Sequence, residues 1–168
     1  MNNQYKEKRE HENAELRRFI SETLSDSSAF LNKYFFDLDI SEYKYDILKA
    51  VNELCLDEHE VFQLIEDYII QILKSKLMFY KYIDELKQRS IKNELLDYTD
   101  IKSLAHRNLG VARNLRIKDA SKILEIIMRE SDLDYLILCV RALEISAVKL
   151  NPKCAYETLS LIHVKDFL

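Results

Sequence analysis

Glycine and proline occur once each in 168 residues, and tryptophan does not occur at all. Glycine and proline are the main punctuation of turns and hairpins. A chain that nearly lacks both, and is rich in Leu, Ile, Lys and Glu, is predicted to be almost wholly helical. A dominant charge is also missing. The 25 Lys and Arg are set against 29 Asp and Glu, a formal net charge of −4, with both signs interspersed, so there is no basic field to hold nucleic acid. Cys55, Cys139 and Cys154 are odd in number and lack CxxC spacing, which argues against a disulfide framework or a zinc knuckle and suggests reduced core thiols. No apolar run reaches the roughly 18 residues of a membrane span. The N-terminus, MNNQYKEKREHENAELRRF, is charged where a signal peptide requires an apolar stretch. A cytoplasmic address with no membrane partner is the expectation.

What is present is helical periodicity. The chain is long enough for one domain with an appendage. Residues 5 to 24 read as a charged helix whose apolar stripe, Leu16, Phe19, Ile20 and Leu24, is confined to its end. Ser25-Asp-Ser-Ser28 reads as a loop, followed by a short apolar segment and a helix from about Ser41 to Leu54. Residues 1–40 are therefore expected to be a charged helical extension. Asp57 and Glu60 have capping-box spacing ahead of Val61, Leu64, Ile65, Tyr68, Ile69, Ile72 and Leu73, which mark a long amphipathic helix to about Gln88, with a bend near Ser75. Asp97 or Thr99 is read as the cap of the next helix, Asp119 of the one after, and Asp132 or Asp134 of the last in this set. Short connections make these helices antiparallel neighbours. The predicted architecture is all-α: an up-and-down four-helix bundle (about 57–88, 99–116, 119–131 and 133–150) within residues 41–152, and a C-terminal helical tail at 153–168.

The single glycine, Gly110, lies inside one of these helices, four residues after His106. In a helix interior glycine costs about 1 kcal/mol relative to alanine. Residues i and i+4 stand one above the other on a helix face, so the missing side chain opens space beside the imidazole. On a wheel of ~100° per residue, Lys102, Ser103, Leu109, Gly110 and Arg113 cluster around His106. Ile101, Leu104, Ala105, Val111, Ala112 and Leu115 fall toward the opposite side. The histidine is thus expected to face out of the bundle, with Lys102 and Arg113 as cations for a bound anion.

The stretch Ala105-His-Arg-Asn-Leu-Gly-Val-Ala-Arg-Asn-Leu115 resembles the signature of histidine phosphotransfer domains, the four-helix modules of bacterial phosphorelays. His106, Gly110, Ala112 and Leu115 match position by position, and a looser likeness covers about residues 38–150. Asn108 stands where the family usually has Leu, and Leu109 where it usually has Lys. The resemblance implies a phosphocarrier: His106 accepts a phosphoryl group from an aspartyl phosphate and passes it on, with a response-regulator receiver domain, a sensor histidine kinase, or both, as partners. The magnesium of that reaction belongs to the receiver, and the chain needs no cofactor of its own. A lone helical glycine cannot form a phosphate-cradling loop, so no ATP-dependent kinase activity is expected. The missing lysine supports a second reading, a helical adaptor that keeps the scaffold without phosphotransfer and docks its partner through Leu109.

Other chemistry is not indicated. His11, His59 and His163 have no companion ligands that recur on one face, so no metal site is expected. Asp57, Glu58 and Glu60 are explained by capping. No pair of carboxylates stands isolated in apolar surroundings, as acid–base catalysis would require, and the ten tyrosines are expected to fill the edges of helix packing.

Overall fold

The computed structural model describes the backbone of residues 2–165 and the side chains of residues 4–163. It consists of α1 (Asn2–Tyr34), a 3-10 turn (Phe36–Leu38), α2 (Ile47–Leu54), α3 (Glu58–Ile91), α4 (Thr99–Asn114), α5 (Lys118–Ile127), α6 (Leu133–Leu150) and α7 (Pro152–Lys165). No strand occurs among the described residues. The all-α expectation holds; the end of the expected C-terminal tail, residues 166–168, lies outside the described residues.

Helix starts follow side-chain chemistry. At α3 the Glu60 N–H donates to Asp57 Oδ1 at 2.8 Å and the Asp57 N–H donates to Glu60 Oε2 at 2.9 Å, a reciprocal box that satisfies two orphan amides. Asp132 Oδ1 accepts from the amides of Asp134 and Tyr135 at α6. Asn151 accepts from the Cys154 amide at α7 (3.1 Å), whose first residue, Pro152, needs no donor there. Helix ends must manage without glycine. Asp39, Cys55, Asn93 and Arg116 take the left-handed conformation instead, with φ between 52° and 64°. At Arg116 the strain is offset locally: its guanidinium reaches Glu53 at 2.8 Å and the carbonyls of Arg113 and Asn114 at 3.0 Å.

Several boundaries differ from the periodicity reading. Ser25–Ser28 is not a loop but the interior of α1. Two of its serines turn back onto their own helix, Ser25 Oγ donating to the Ser21 carbonyl and Ser27 Oγ to that of Leu24, so the turn-forming side chains are satisfied within helical geometry. The helix expected from Ser41 begins only at Ile47, where Asp46 accepts from the Lys49 amide. α3 is a single helix through Ser75 and on to Ile91, and α5 stops at Ile127 rather than 131. Asp119 does not cap α5. It lies in the first turn, buried, with its carboxylate accepting from the Ala120 amide at 2.7 Å.

Residue 40 does not mark a break in the packing. Ile20, Thr23, Ser27, Leu31 and Phe35 are buried at successive helical spacings, and Ile20, Leu31, Phe35 and Ile40 belong to the same apolar core as the later helices. The solvated side of α1 carries i,i+4 ion pairs such as Lys8–Glu12 and Arg18–Glu22, each worth only a few tenths of a kcal/mol.

α3 packs against α2, α4, α6 and α7; α5 packs against α4 and α6; α1 lies on α6 and α7. Polar cross-links set the directions. Asn108 of α4 meets Gln71 and Ser75 of α3, while Asp100 and Ile101 at its start border one small pocket with Leu86 and Arg89, so α4 runs back along α3. Lys87 near the end of α3 reaches Asp134 at the start of α6. Arg113 near the end of α4 reaches Glu125 of α5. Midway along α6 the buried Glu144 is held by both Lys76 of α3 and Arg141. Arg141 also lies over the Phe19 ring of α1, 5.1 Å from its centroid, and donates to Thr23 Oγ1 at 3.4 Å. Sequence reading did not single out Glu144, because a glutamate in a helix is ordinarily on the surface. Its burial is tolerated because two cations meet it, and only the removal of both would leave a buried charge uncompensated.

Candidate functional site: the histidine face of α4

α4 presents one solvent-facing stripe, made of Ser103, His106, Arg107, Gly110, Arg113 and Asn114, all exposed. Ile101, Leu104, Ala105, Asn108, Leu109 and Ala112 turn into the core. The imidazole of His106 makes no hydrogen bond or ion pair among the described residues, so neither ring nitrogen is engaged by any of them.

Gly110 is exposed one turn further along. A Cβ built on it would have no heavy atom within 4 Å, and its φ is not positive. Neither close packing nor a left-handed backbone therefore requires glycine at this position. The propensity cost of about 1 kcal/mol has no counterpart in the folded chain.

The cations around the histidine are partly engaged. Arg113 Nη2 contacts Glu125 Oε1 at 2.7 Å, and both side chains are more than a third exposed, so this surface pair is worth at most about 1 kcal/mol and is readily exchanged for another anion. Lys102 is half-buried, its Nζ over the Tyr98 ring 5.7 Å from the centroid. The Tyr98 hydroxyl in turn donates to the Ser131 carbonyl at 2.9 Å. Neither Asp97 nor Thr99 caps α4, whose cap residue is Tyr98 without a side-chain bond; Asp97, one residue earlier, accepts from both the amide and the hydroxyl of Thr99, at 2.9 and 2.6 Å. Those two bonds hold its carboxyl below the ordinary aspartate range.

Leu109 departs from expectation. It is 4% exposed and belongs to the core, not to the histidine face. On the wheel it lies at the edge of the predicted outward cluster, and packing of α4 against both α3 and α5 widens the buried arc enough to take it in. An apolar docking role for Leu109 is thereby lost.

Asn108 carries a network that sequence reading did not specify. It is 1% exposed. Its Nδ2 donates to Ser75 Oγ at 3.1 Å and to the Leu104 carbonyl at 2.9 Å, and its Oδ1 accepts from Gln71 Nε2 at 3.1 Å and Ser75 Oγ at 3.3 Å. The signal in the sequence was a polar residue at an inward wheel position, with Ser75 on the buried side of the preceding helix and Gln71 at its exposed edge.

Comparison with family models, with curated proteins and with solved structures finds no match to this chain. Among the described residues no helix is long and apolar enough to cross a membrane, and no group of three His, Cys, Asp or Glu side chains is placed to hold a metal ion.

Proposed function

We propose that the chain is a phosphorelay intermediate in which His106 accepts a phosphoryl group from an aspartyl phosphate on a receiver domain and passes it on. The observation that carries this reading is the pairing of an unengaged, exposed His106 with a glycine that nothing in the chain requires. A helix keeps such a residue when something outside the chain must come close. The resemblance of Ala105 to Leu115 to histidine phosphotransfer domains names what approaches, and the succession of contacts α3–α4, α4–α5, α5–α6 and α6–α3 is what that family's four-helix bundle requires.

In the reaction, one imidazole nitrogen attacks phosphorus in line. The P–N bond forms as the P–O bond to the partner's aspartate breaks, and the carboxylate leaves. The chain contributes a fixed nucleophile and neutralising charge. Lys102, one turn before His106, and Arg113, two turns after it, serve as cations in place of the family's lysine. Ser103 and Gly110 border the approach.

The test is transfer of label from phosphorylated receiver domains encoded in the same genome. The wild type should acquire an acid-labile, alkali-stable phosphohistidine, and His106→Gln should take none while remaining folded, since surface substitutions usually stay within about 0.5 kcal/mol. Persistent labelling of His106→Gln would place the acceptor elsewhere. Binding of a receiver by the wild type without labelling would favour the adaptor reading.

A further inference from the structure

Folding sorts charges that are mixed along the chain. Residues 101–129 hold 7 Lys and Arg against 2 Asp and Glu, and the rest of the chain holds 18 against 27. The exposed charged residues of that stretch are Arg107, Arg113, Arg116, Lys118, Lys122 and Arg129. Its two carboxylates are Asp119, which is buried, and Glu125, which is taken by Arg113. Neither is left for the other cations.

These cations share one face. α5 lies along α4 in the opposite direction, since Arg113 near the end of α4 meets Glu125, and Tyr98 ahead of α4 bonds Ser131 beyond α5. Lys118, Lys122, Glu125 and Arg129 follow at i, i+4, i+7 and i+11, the outer stripe of α5. It runs beside the stripe of α4 that carries His106, Arg107 and Gly110. Elsewhere cations are matched within a helix or across to a neighbour, as in Lys49–Glu53, Lys81–Glu85 and Lys87–Asp134. Here the side chains of Arg107 and Lys118 make no hydrogen bond or ion pair among the described residues, and those of Lys122 and Arg129 reach only carbonyl oxygens, of Leu38 at 2.7 Å and Glu125 at 3.2 Å. Lys118 and Lys122 stand one turn apart as like charges, an arrangement that opposes the folded state.

The occupant follows from what the face lacks. The exposed residues of 101–129 include no aromatic ring on which a single strand could stack, and no large apolar side chain to enter a bilayer. α4 has 16 residues, a length of about 24 Å. A duplex extended past it would meet the remainder of the chain, where carboxylates prevail. A face of this size suits one side of a protein–protein contact.

We propose that the exposed face of α4 and α5 docks an acidic protein surface, whose carboxylates pair with Arg107, Lys118, Lys122 and Arg129 so that the partner arrives over His106. The proposal rests on the phosphotransfer reading for what the docked partner then does, and it names the surface by which that partner is recognised. Charge of this kind acts chiefly on the rate of association.

Two measurements on the full chain test it. In amide NMR at about 20 mM salt, a ten-residue oligoglutamate should shift the amides around Arg107, Gly110, Lys118 and Arg129, and screening should abolish the shifts near about 300 mM. They should also vanish in Arg107→Glu/Lys118→Glu, two positions whose side chains hold nothing in the described fold. A ten-residue oligolysine and a ten-nucleotide oligothymidylate are the controls. In stopped flow, unphosphorylated receiver domains from the same genome should associate equally fast with wild type and His106→Gln, and at least about tenfold more slowly with the double variant. No oligoglutamate shifts on this face, undiminished shifts in the double variant, or equal shifts with either control would overturn the proposal. Receiver docking that is indifferent to the double variant, followed by transfer to His106, would overturn it and leave the phosphotransfer reading standing. Oligoglutamate shifts on this face with no transfer from any receiver would do the reverse. Should the double variant not fold, Arg107→Gln/Lys118→Gln takes its place, with weakened shifts expected and wild-type shifts counting against the assignment.

Discussion

Replacing Gly110 by alanine should make the protein more stable and a poorer phosphoryl acceptor. The stability side can be worked from the structure. Gly110 lies inside α4, it is exposed, and a Cβ there meets nothing within 4 Å. The substitution thus adds neither burial nor strain, and only the backbone term remains, about 0.8–1.0 kcal/mol in favour of alanine. For a chain of this length that corresponds to a rise in Tm of about 2–4 °C. Urea unfolding followed by circular dichroism measures it, with the midpoint moving up and the m-value unchanged. The functional side has the opposite sign. A methyl group one turn from His106 narrows the approach and should slow transfer from a phosphorylated receiver, and Gly110→Glu should block it through bulk and charge repulsion. A fall in stability for Gly110→Ala would show that the folded chain needs the glycine. A stabilised Gly110→Ala that transfers at the wild-type rate would remove the reason for linking the glycine to access by a partner.

Asn108→Leu matches the family's usual residue, yet it should destabilise the protein by about 1–3 kcal/mol, because the bonds to Gln71, Ser75 and Leu104 are lost and the Ser75 hydroxyl is left buried without its partner. Adding Ser75→Ala should recover part of the loss in chemical denaturation; a neutral or stabilising Asn108→Leu would mean the network contributes nothing. Thiol labelling of the native protein should be fast at the exposed Cys55 alone, since burial pushes the Cys139 thiol up to about 12 and raises that of Cys154 as well. All three should react in denaturant, and a second fast thiol in the native state would contradict the packing of α6 or α7.

Helix identity was legible wherever apolar spacing and a capping side chain agreed. Asp57 with Glu60 and Asp132 mark true starts, and the stripe from Val61 to Leu73 is buried at Val61, Ile65, Tyr68, Ile69, Ile72 and Leu73. The reading failed where local chemistry has two solutions. A Ser-Asp-Ser-Ser run favours a turn in isolation, but its hydroxyls bond equally well to the preceding helical turn, and burial of Ser27 and Leu31 on the core side of α1 decides the matter. At the histidine face, the outward placement of His106 and Gly110 followed from the wheel alone. The inward turn of Leu109 did not, because the width of the buried arc depends on how many helices press on α4, and that is tertiary information. Glu144 and Asp119 were illegible for the same reason: each sits at ordinary helical spacing, and only the groups brought by other helices make it unusual.

α4 is gripped from both flanks in a way that bears on what His106 can do. On one side Asn108 ties it to α3; on the other Arg113 ties it to α5, and at its end Leu115 accepts a bond from Tyr45. Asn108 itself is buried and its amide is bonded at both ends, to Ser75 and to the Leu104 carbonyl among others, so it fixes the rotation of the helix about its own axis as well as its position. Rotation matters because His106 is two residues before Asn108 on the same helix. A turn of the helix that released Asn108 would carry the imidazole out of its solvent-facing stripe. In-line transfer depends on holding the attacking atom in place before the partner arrives. On the proposed reading, Asn108 would act as a positioning element for the histidine, and the alignment left to the encounter would be that of the incoming aspartyl phosphate.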